Sequence, residues 1–334
     1  MRIQDLYREV EADLLARCPE QRYPSKAGAV WRWASRRRGS LWKRLAFVLD
    51  RRMYKEWDRA EGTFGLGVVD EFWSLVNNAA AYEAAFDRLE DEPSREVFLW
   101  RLKLRLALPF VLRWEDVYPA PEPPGVGDLS IGAEEEAFCK GFRSGQYLLR
   151  GICMPEPGDV VLDVGAFLGD SAVTFSRLVG EGGRVYSIEA LADQFAALRR
   201  NLDRFGCANT TPCFNAAWNR NEELCISSNR GSSCIGGGDN PVPGVRLDDF
   251  VAEHNIERVD FIKMDIEGAE QEAIEGGAET IRRFRPKLAL SAYHKPEDLY
   301  RLMDMVAGLH PGYRFWMRHY DPHGMNDTVL YAVG

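Results

Sequence analysis

The run Val160-Val161-Leu162-Asp163-Val164, followed by Gly165-Ala166-Phe167-Leu168-Gly169-Asp170, constrains the fold more than any other stretch. Its apolar character on both faces predicts a strand buried within a parallel sheet. A glycine ends the strand, a second glycine follows, and Ala172, Phe175, Leu178 and Val179 then recur with helical spacing. A strand, tight turn and helix N-terminus direct backbone N–H groups and the positive end of a helix dipole at a ligand. A dinucleotide fingerprint needs glycine where Phe167 stands, because a pyrophosphate requires close backbone approach. What remains, D-x-G-x-x-x-G, suits a smaller nucleoside ligand without phosphates, of which S-adenosylmethionine (SAM) is the commonest. An ordinary strand–turn–helix of any doubly wound protein would read the same way.

Two further strand ends add to this. Gly183 to Glu189 is an apolar run closing on an acid, placed to accept from both ribose hydroxyls. Val259 to Met264 is another, followed by Asp265-Ile266-Glu267-Gly268-Ala269-Glu270, alternating acids and a glycine before a helix. At these residues the chain resembles a known family. DVGAFLGD, KMDIEGAE, SAYHKPEDL and the terminal NDTVLYAVG are similar to the FkbM-type family of SAM-dependent methyltransferases, over roughly residues 145–334. The segment Asp91 to Arg95 echoes what precedes the domain in some members. The resemblance implies an α/β, Rossmann-like class I methyltransferase sheet, mostly parallel with a terminal antiparallel hairpin. The cofactor it implies is S-adenosyl-L-methionine.

The 334 residues allow about two domains. We expect a helical N-terminal domain over 1–117, a proline-rich linker over 118–130 and the methyltransferase domain over 131–334. In the first part, helices are expected at 1–17, 41–58, 71–90 and from about 95 to 108, although the RLKLRL core of the last also alternates like a strand. No catalytic constellation appears in 1–115, so oligomerisation, substrate shaping or both are the expected roles. Lys26 to Arg59 holds 11 basic and 3 acidic residues together with Trp31, Trp33, Trp42 and Trp57. Such a patch fits nucleic acid, an anionic glycan, a phosphate group or a membrane surface, but a solvated helix face with core tryptophans accounts for it more simply, and a nucleic-acid partner is not expected. Seven cysteines without a C-x-x-C pair point to reduced thiols. With no long apolar run and no secretory pattern at the start, a cytoplasmic protein without a membrane span is the expectation.

Beyond the linker a helix is expected at 132–149. Strands follow near 160–164, 184–189, 211–217, 259–264 and 287–292, alternating with helices near 170–179, 191–204, 247–254, 268–282 and 296–308. The polar stretch 219–245 reads as a short hairpin plus a loop near the active face. The closing strands are expected at 312–316 and 328–333.

Ligands of open α/β sheets bind at the carboxyl ends of the strands. There Gly165, Ala166, Phe167 and Gly169 would bracket the amino-acid end of SAM. Asp163 would accept from its ammonium, unless it only caps the turn. Asp170 is a ligand neighbour or a helix N-cap, and Glu189, with Ala190 beside it, would hold the ribose. Ala217 would edge the adenine, and Trp218 would stack on it or serve the core. Methyl transfer to a hydroxyl needs its proton removed, and His294, His319, Asp265 and Glu267 all follow strands on that face. These four are the expected catalytic residues, with Asp265 also near the cofactor. A divalent metal on the same set is possible, with no ligands assigned. The resemblance implies O-methylation of a sugar or natural-product hydroxyl, on a small-molecule, glycan or peptide acceptor. N-methylation of an amide or amine is the runner-up. A non-catalytic SAM- or nucleic-acid-binding protein is the reading from another class.

Overall fold

The computed structural model describes residues 2–17, 71, 74–107, 118–124, 133–139, 145–229, 232–235, 240–321, 324 and 326–334. The expected helix at 41–58, the basic tryptophan-rich segment 26–59 and the end of the linker lie outside the described residues. The chain packs as two compact units, one of residues 1–121, 295–300 and 322–324, the other of 122–294, 301–321 and 325–334.

In the first unit α1 (Ile3–Arg17), α2 (Ala79–Asp87) and α3 (Glu92–Ala107) are helical. Ile3, Leu6 and Val10 of α1 are buried, as are Phe98, Leu102 and Leu106 of α3, each set recurring at helical spacing. The RLKLRL core is therefore helix. Its alternating basic residues are not all at the surface: Arg101 and Arg105 are buried and ion-paired to Glu71.

The second unit begins its described structure with α4 (Ala133–Phe138). The expected helix to residue 149 does not extend that far. Gly145 and Tyr147 take positive φ (84° and 67°), and Leu149 bridges to Cys153 as the chain turns into the sheet. β1 (Val160–Val164), α5 (Asp170–Val179), β2 (Arg184–Glu189), α6 (Ala192–Arg204) and β3 (Thr210–Phe214) then alternate. β4 (Ala216–Ala217), β5 (Glu222–Asn229), β6 (Ser232–Ile235) and β7 (Asn240–Val245) follow. Last come α7 (Leu247–Glu253), β8 (Phe261–Met264), α8 (Glu270–Gly276), α9 (Ala278–Phe284), β9 (Lys287–Ser291), α10 (Asp298–Leu309), β10 (Arg314–His319) and β11 (Thr328–Val333).

Seven strands form one sheet in the order β10-β11-β9-β8-β1-β2-β3, parallel except for β11, which runs antiparallel to both neighbours. This is the mostly parallel sheet with a terminal antiparallel hairpin that the resemblance implies. Val161, Leu162 and Val164 of β1 and all of β8 are buried, which is why these strands read as apolar without alternation. The single strand expected at 211–217 is divided: the chain leaves the main sheet after Phe214 and starts a second sheet, β4-β7-β5-β6, at Ala216. The other three strands of that second sheet, β5, β6 and β7, come from the stretch expected as hairpin and loop. The single helix expected at 268–282 is two, parted at Gly276 and Gly277. A Cβ on Gly276 would stand 2.0 Å from the Trp218 carbonyl oxygen, so this close approach admits only glycine.

Candidate active site at the carboxyl ends of the strands

The ends of β1, β2 and β8 surround a cavity of about 270 Å³, lying wholly within the second unit. Its floor depends on Gly165. This residue has φ +81°, and a Cβ there would lie 1.9 Å from the Asp265 carbonyl oxygen, so glycine alone lets β1 turn this close to the β8 end. The turn is held by Gly165 and Ala166 N–H groups donating to the Ile188 carbonyl at 2.9 and 3.0 Å.

Glu189 ends β2 at the cavity wall. Its Oε1 accepts from the Ala190 and Leu191 N–H groups at 2.9 and 2.8 Å, and its Oε2 from that of Phe167 at 2.9 Å. Burial raises its carboxyl pKa despite these three donors. The carboxylate is thereby fixed in place, with acceptor capacity left on Oε2. Gly165, Phe167, Asp170, Ala190, Ala217, Asp265 and Glu267 also line the cavity. Five carboxylates (Asp170, Glu189, Asp265, Glu267 and Asp327) face it against one cation, Lys263, a balance that suits a ligand of net positive charge.

Other expected residues stand elsewhere. Asp163 is fully buried and does not line the cavity. The register pairs it with Ser187 and Lys263, and its carboxylate accepts from Ser171 Oγ at 2.8 Å and ion-pairs Lys263 Nζ at 3.4 Å. It ties β1 to α5 and β8 from beneath. Ala166 is likewise enclosed, and Gly169 is the left-handed N-cap of α5. Trp218 lies outside the cavity lining; its indole N–H donates to Glu222 Oε1 at 3.1 Å and its side chain packs against the apolar cluster of Leu191, Ala216, Leu224, Ile226 and Val242. His319 is not brought to the site. β11 separates its strand from β9, and both its ring nitrogens are engaged, with Thr328 Oγ1 at 2.9 Å and the Asp321 carbonyl at 2.6 Å.

His294 does meet Asp265 and Glu267, with Nε2 at 3.5 and 3.6 Å from their oxygens. Its closest acidic partner is one not singled out above: Glu270 Oε1 lies 3.0 Å from Nδ1. Burial opposes a charged ring, but the Glu270 hydrogen bond and the charges of Glu270, Asp265 and Glu267 prevail and raise its pKa to about 9. Asp265 is moved the other way: burial would raise its carboxyl, yet Lys263, His294 and the Tyr147 and Ser291 hydroxyls hold it below the ordinary value. The Tyr147 and Tyr293 hydroxyls donate to it at 2.8 and 3.1 Å. One oxygen each of Asp265 and Glu270 and one ring nitrogen of His294 come within 4.8 Å of one another, a set with the chemistry of a divalent-metal ligand group.

Lys263, Tyr147, Tyr293, Gln146 and Asp327 were missed by the sequence reading. Lys263 carried a signal, a cation inside an otherwise apolar strand; Tyr147 carried none, since it reaches Asp265 from a turn 118 residues away.

Residues 163–321 match the family model described as the methyltransferase FkbM domain. Among solved structures, methyltransferase FkbM from Methylobacillus flagellatus superposes with a TM-score of 0.60 at 23% identity, over 84% of this chain and 70% of that one. The likeness is one of fold. Among curated proteins, the protein-L-isoaspartate O-methyltransferase of Aeropyrum pernix is 42% identical over 52 residues, 16% of this chain and 20% of its own length. The probable cobalt-precorrin-6B C(15)-methyltransferase of Saccharolobus solfataricus is 44% identical over 52 residues, 16% of this chain and 26% of its own length. The chain thus spans about a fifth to a quarter of these curated relatives. No helix among the described residues is long and apolar enough to cross a membrane.

Proposed function

Residues 163–321 place this chain in the methyltransferase FkbM family, and from that premise we propose that it transfers the methyl group of SAM to a hydroxyl of a sugar or natural product. The observation that carries the reading is the cavity itself, with Glu189 held by three backbone N–H groups at the tip of β2 and an acidic wall around it. SAM bears a sulfonium and an ammonium against one carboxylate, so its net positive charge matches that wall. The free acceptor capacity of Glu189 would take a ribose hydroxyl, Gly165 and Phe167 would meet the amino-acid end, and Ala217 would border the adenine.

Bound SAM would supply an activated methyl group for in-line displacement by an acceptor oxygen, and the protein's part would be to orient that oxygen and remove its proton. The acceptor's proton goes to the Asp265–Glu267–His294 cluster. Asp265 and Glu267 face the cavity, whereas His294 lies behind them on Glu270. His294 is therefore better placed to orient these carboxylates than to reach the acceptor.

Titration calorimetry tests the cofactor half. SAM and S-adenosylhomocysteine should both bind, and Glu189→Ala should weaken both by about 10–100-fold, the worth of a hydrogen bond to a charged acceptor at ~1.5–3 kcal/mol. A folded variant with unchanged affinity removes Glu189 from the ribose. Isotopically labelled SAM offered with polyhydroxylated and amine acceptors tests the other half: label passing only to amines overturns the hydroxyl assignment.

A further inference from the structure

We propose that Asp265, Glu270 and His294, with Glu267 beside them, form a binding site for one divalent cation at the edge of the cavity. Their ligand atoms lie within 4.8 Å of one another, close to the separation of groups that share one ion through bonds of ~2.0–2.2 Å. The stronger indication comes from two buried atoms. Glu270 is fully enclosed, yet its Oε2 has no hydrogen-bond partner. The His294 side chain is 9% exposed, and its Nε2 also has none. A buried carboxylate oxygen and a buried ring nitrogen are seldom left unmet.

The other half of each group is satisfied. Glu270 Oε1 accepts from the Ile266 N–H at 2.9 Å and faces His294 Nδ1 at 3.0 Å. A carboxylate partner on one ring nitrogen fixes the orientation of the other, as the neighbours of metal-binding histidines do. His294 Nε2 points instead between Asp265 Oδ1 at 3.5 Å and Glu267 Oε2 at 3.6 Å, longer than direct hydrogen bonds. Three carboxylates around one imidazole also carry net negative charge in either form of the ring, which a divalent cation would offset. Carboxylate oxygens with a single imidazole suit Mg²⁺ or Mn²⁺ better than a thiolate-seeking metal.

The site gives the proposed methyl transfer a means of proton removal. Asp265 and Glu267 line the cavity, so a cation between them could be reached by an acceptor hydroxyl and would lower its pKa. Cation binding itself does not depend on that reading.

The test is a titration of chelator-stripped protein with Mn²⁺, followed by electron paramagnetic resonance and melting temperature. One Mn²⁺ per chain and a raised melting temperature are expected. Glu270→Gln and Asp265→Asn should each weaken binding by about 10–100-fold. Wild-type protein that binds no Mn²⁺, or folded variants that bind it as tightly as wild type, would overturn the site. Should either variant fail to fold, the wild-type stoichiometry and the remaining variant still decide. SAM calorimetry on the same stripped protein keeps the two ideas apart: SAM binding without Mn²⁺ binding removes the cation alone, and Mn²⁺ binding without SAM binding removes the methyl-transfer reading alone.

Discussion

Lys263 and Asp163 form a buried pair, with side chains 3% and 0% exposed and Nζ 3.4 Å from Oδ1; Nζ also donates to the Gly165 carbonyl at 2.5 Å. Removing one partner leaves an uncompensated buried charge, a loss of ~3–5 kcal/mol in comparable pairs. Lys263→Met should therefore lower unfolding free energy by about that amount in urea melts. Adding Asp163→Asn should recover much of the loss, and a double variant no better than the single one would mean that Lys263 acts chiefly through the Gly165 carbonyl. Asp327 titrates in a different window. Burial, with Asp265 nearby, raises its carboxyl to about 6. The folded state thus binds this proton more tightly than the unfolded chain, whose carboxyl titrates near ~3.9. The resulting stability is present below ~4 and is lost as pH rises through about 6. Asp327→Asn should then melt higher than wild type at neutral pH and alike in mild acid. An equal offset at both pH values would show that charge is not the cause. In the sequence Asp163 and Glu189 could be found because each sits at a fixed place in a strand-end motif. Glu270 stands in the same run of acids before a helix, but a helix N-terminus accounts for an acid there without any partner.

At the scale of elements, the two close-approach glycines differ in what they serve. Gly165 joins a cavity-lining turn to the end of β8, while Gly276 lets the α8–α9 break pass the Trp218 carbonyl. Gly165→Ala adds a steric clash to the ~1–2 kcal/mol of a left-handed backbone, and should cost both stability and SAM affinity. Gly276→Ala should lower the melting temperature while leaving SAM affinity of the folded fraction near wild type. Calorimetry on both variants checks this, and equal losses of affinity would refute the division of roles. The α8–α9 break was not legible, because a Gly-Gly pair inside a helical pattern signals weakness without locating the backbone that approaches it. Nor was the division of 210–217, where Asn215 looks like any polar residue near a strand end. β1, β2, β8 and β9 were legible, since strands buried on both faces need apolar residues throughout.

For the whole molecule, the N-terminal helices share their unit with residues 295–300. The Tyr82 hydroxyl donates to the Pro296 carbonyl at 2.7 Å, and its ring meets Tyr300 with centroids 4.8 Å apart. Removing residues 1–117 would strip these partners from the start of α10. The shortened protein should melt lower and bind SAM less well than the full chain. Unchanged melting and SAM affinity would leave oligomerisation as the role still to be assayed, by comparing the masses of the two proteins in solution.

By itself, the amino-acid sequence determined the order of the main-sheet strands, the glycine turn after β1 and the acid at the tip of β2. Each of these is a local pattern: hydrophobic period, backbone freedom or a side chain at a strand end. It also placed His294, Asp265 and Glu267 on one edge of the sheet, because strand ends follow from topology. Tertiary structure alone decided which of them touch. It turned Asp163 inward to Lys263, fastened His319 on both nitrogens beyond β11, and set Tyr147 and Glu270 against the residues they contact. Such contacts join residues distant in sequence, and side-chain direction and burial at each end settle them only once the sheet has been assembled.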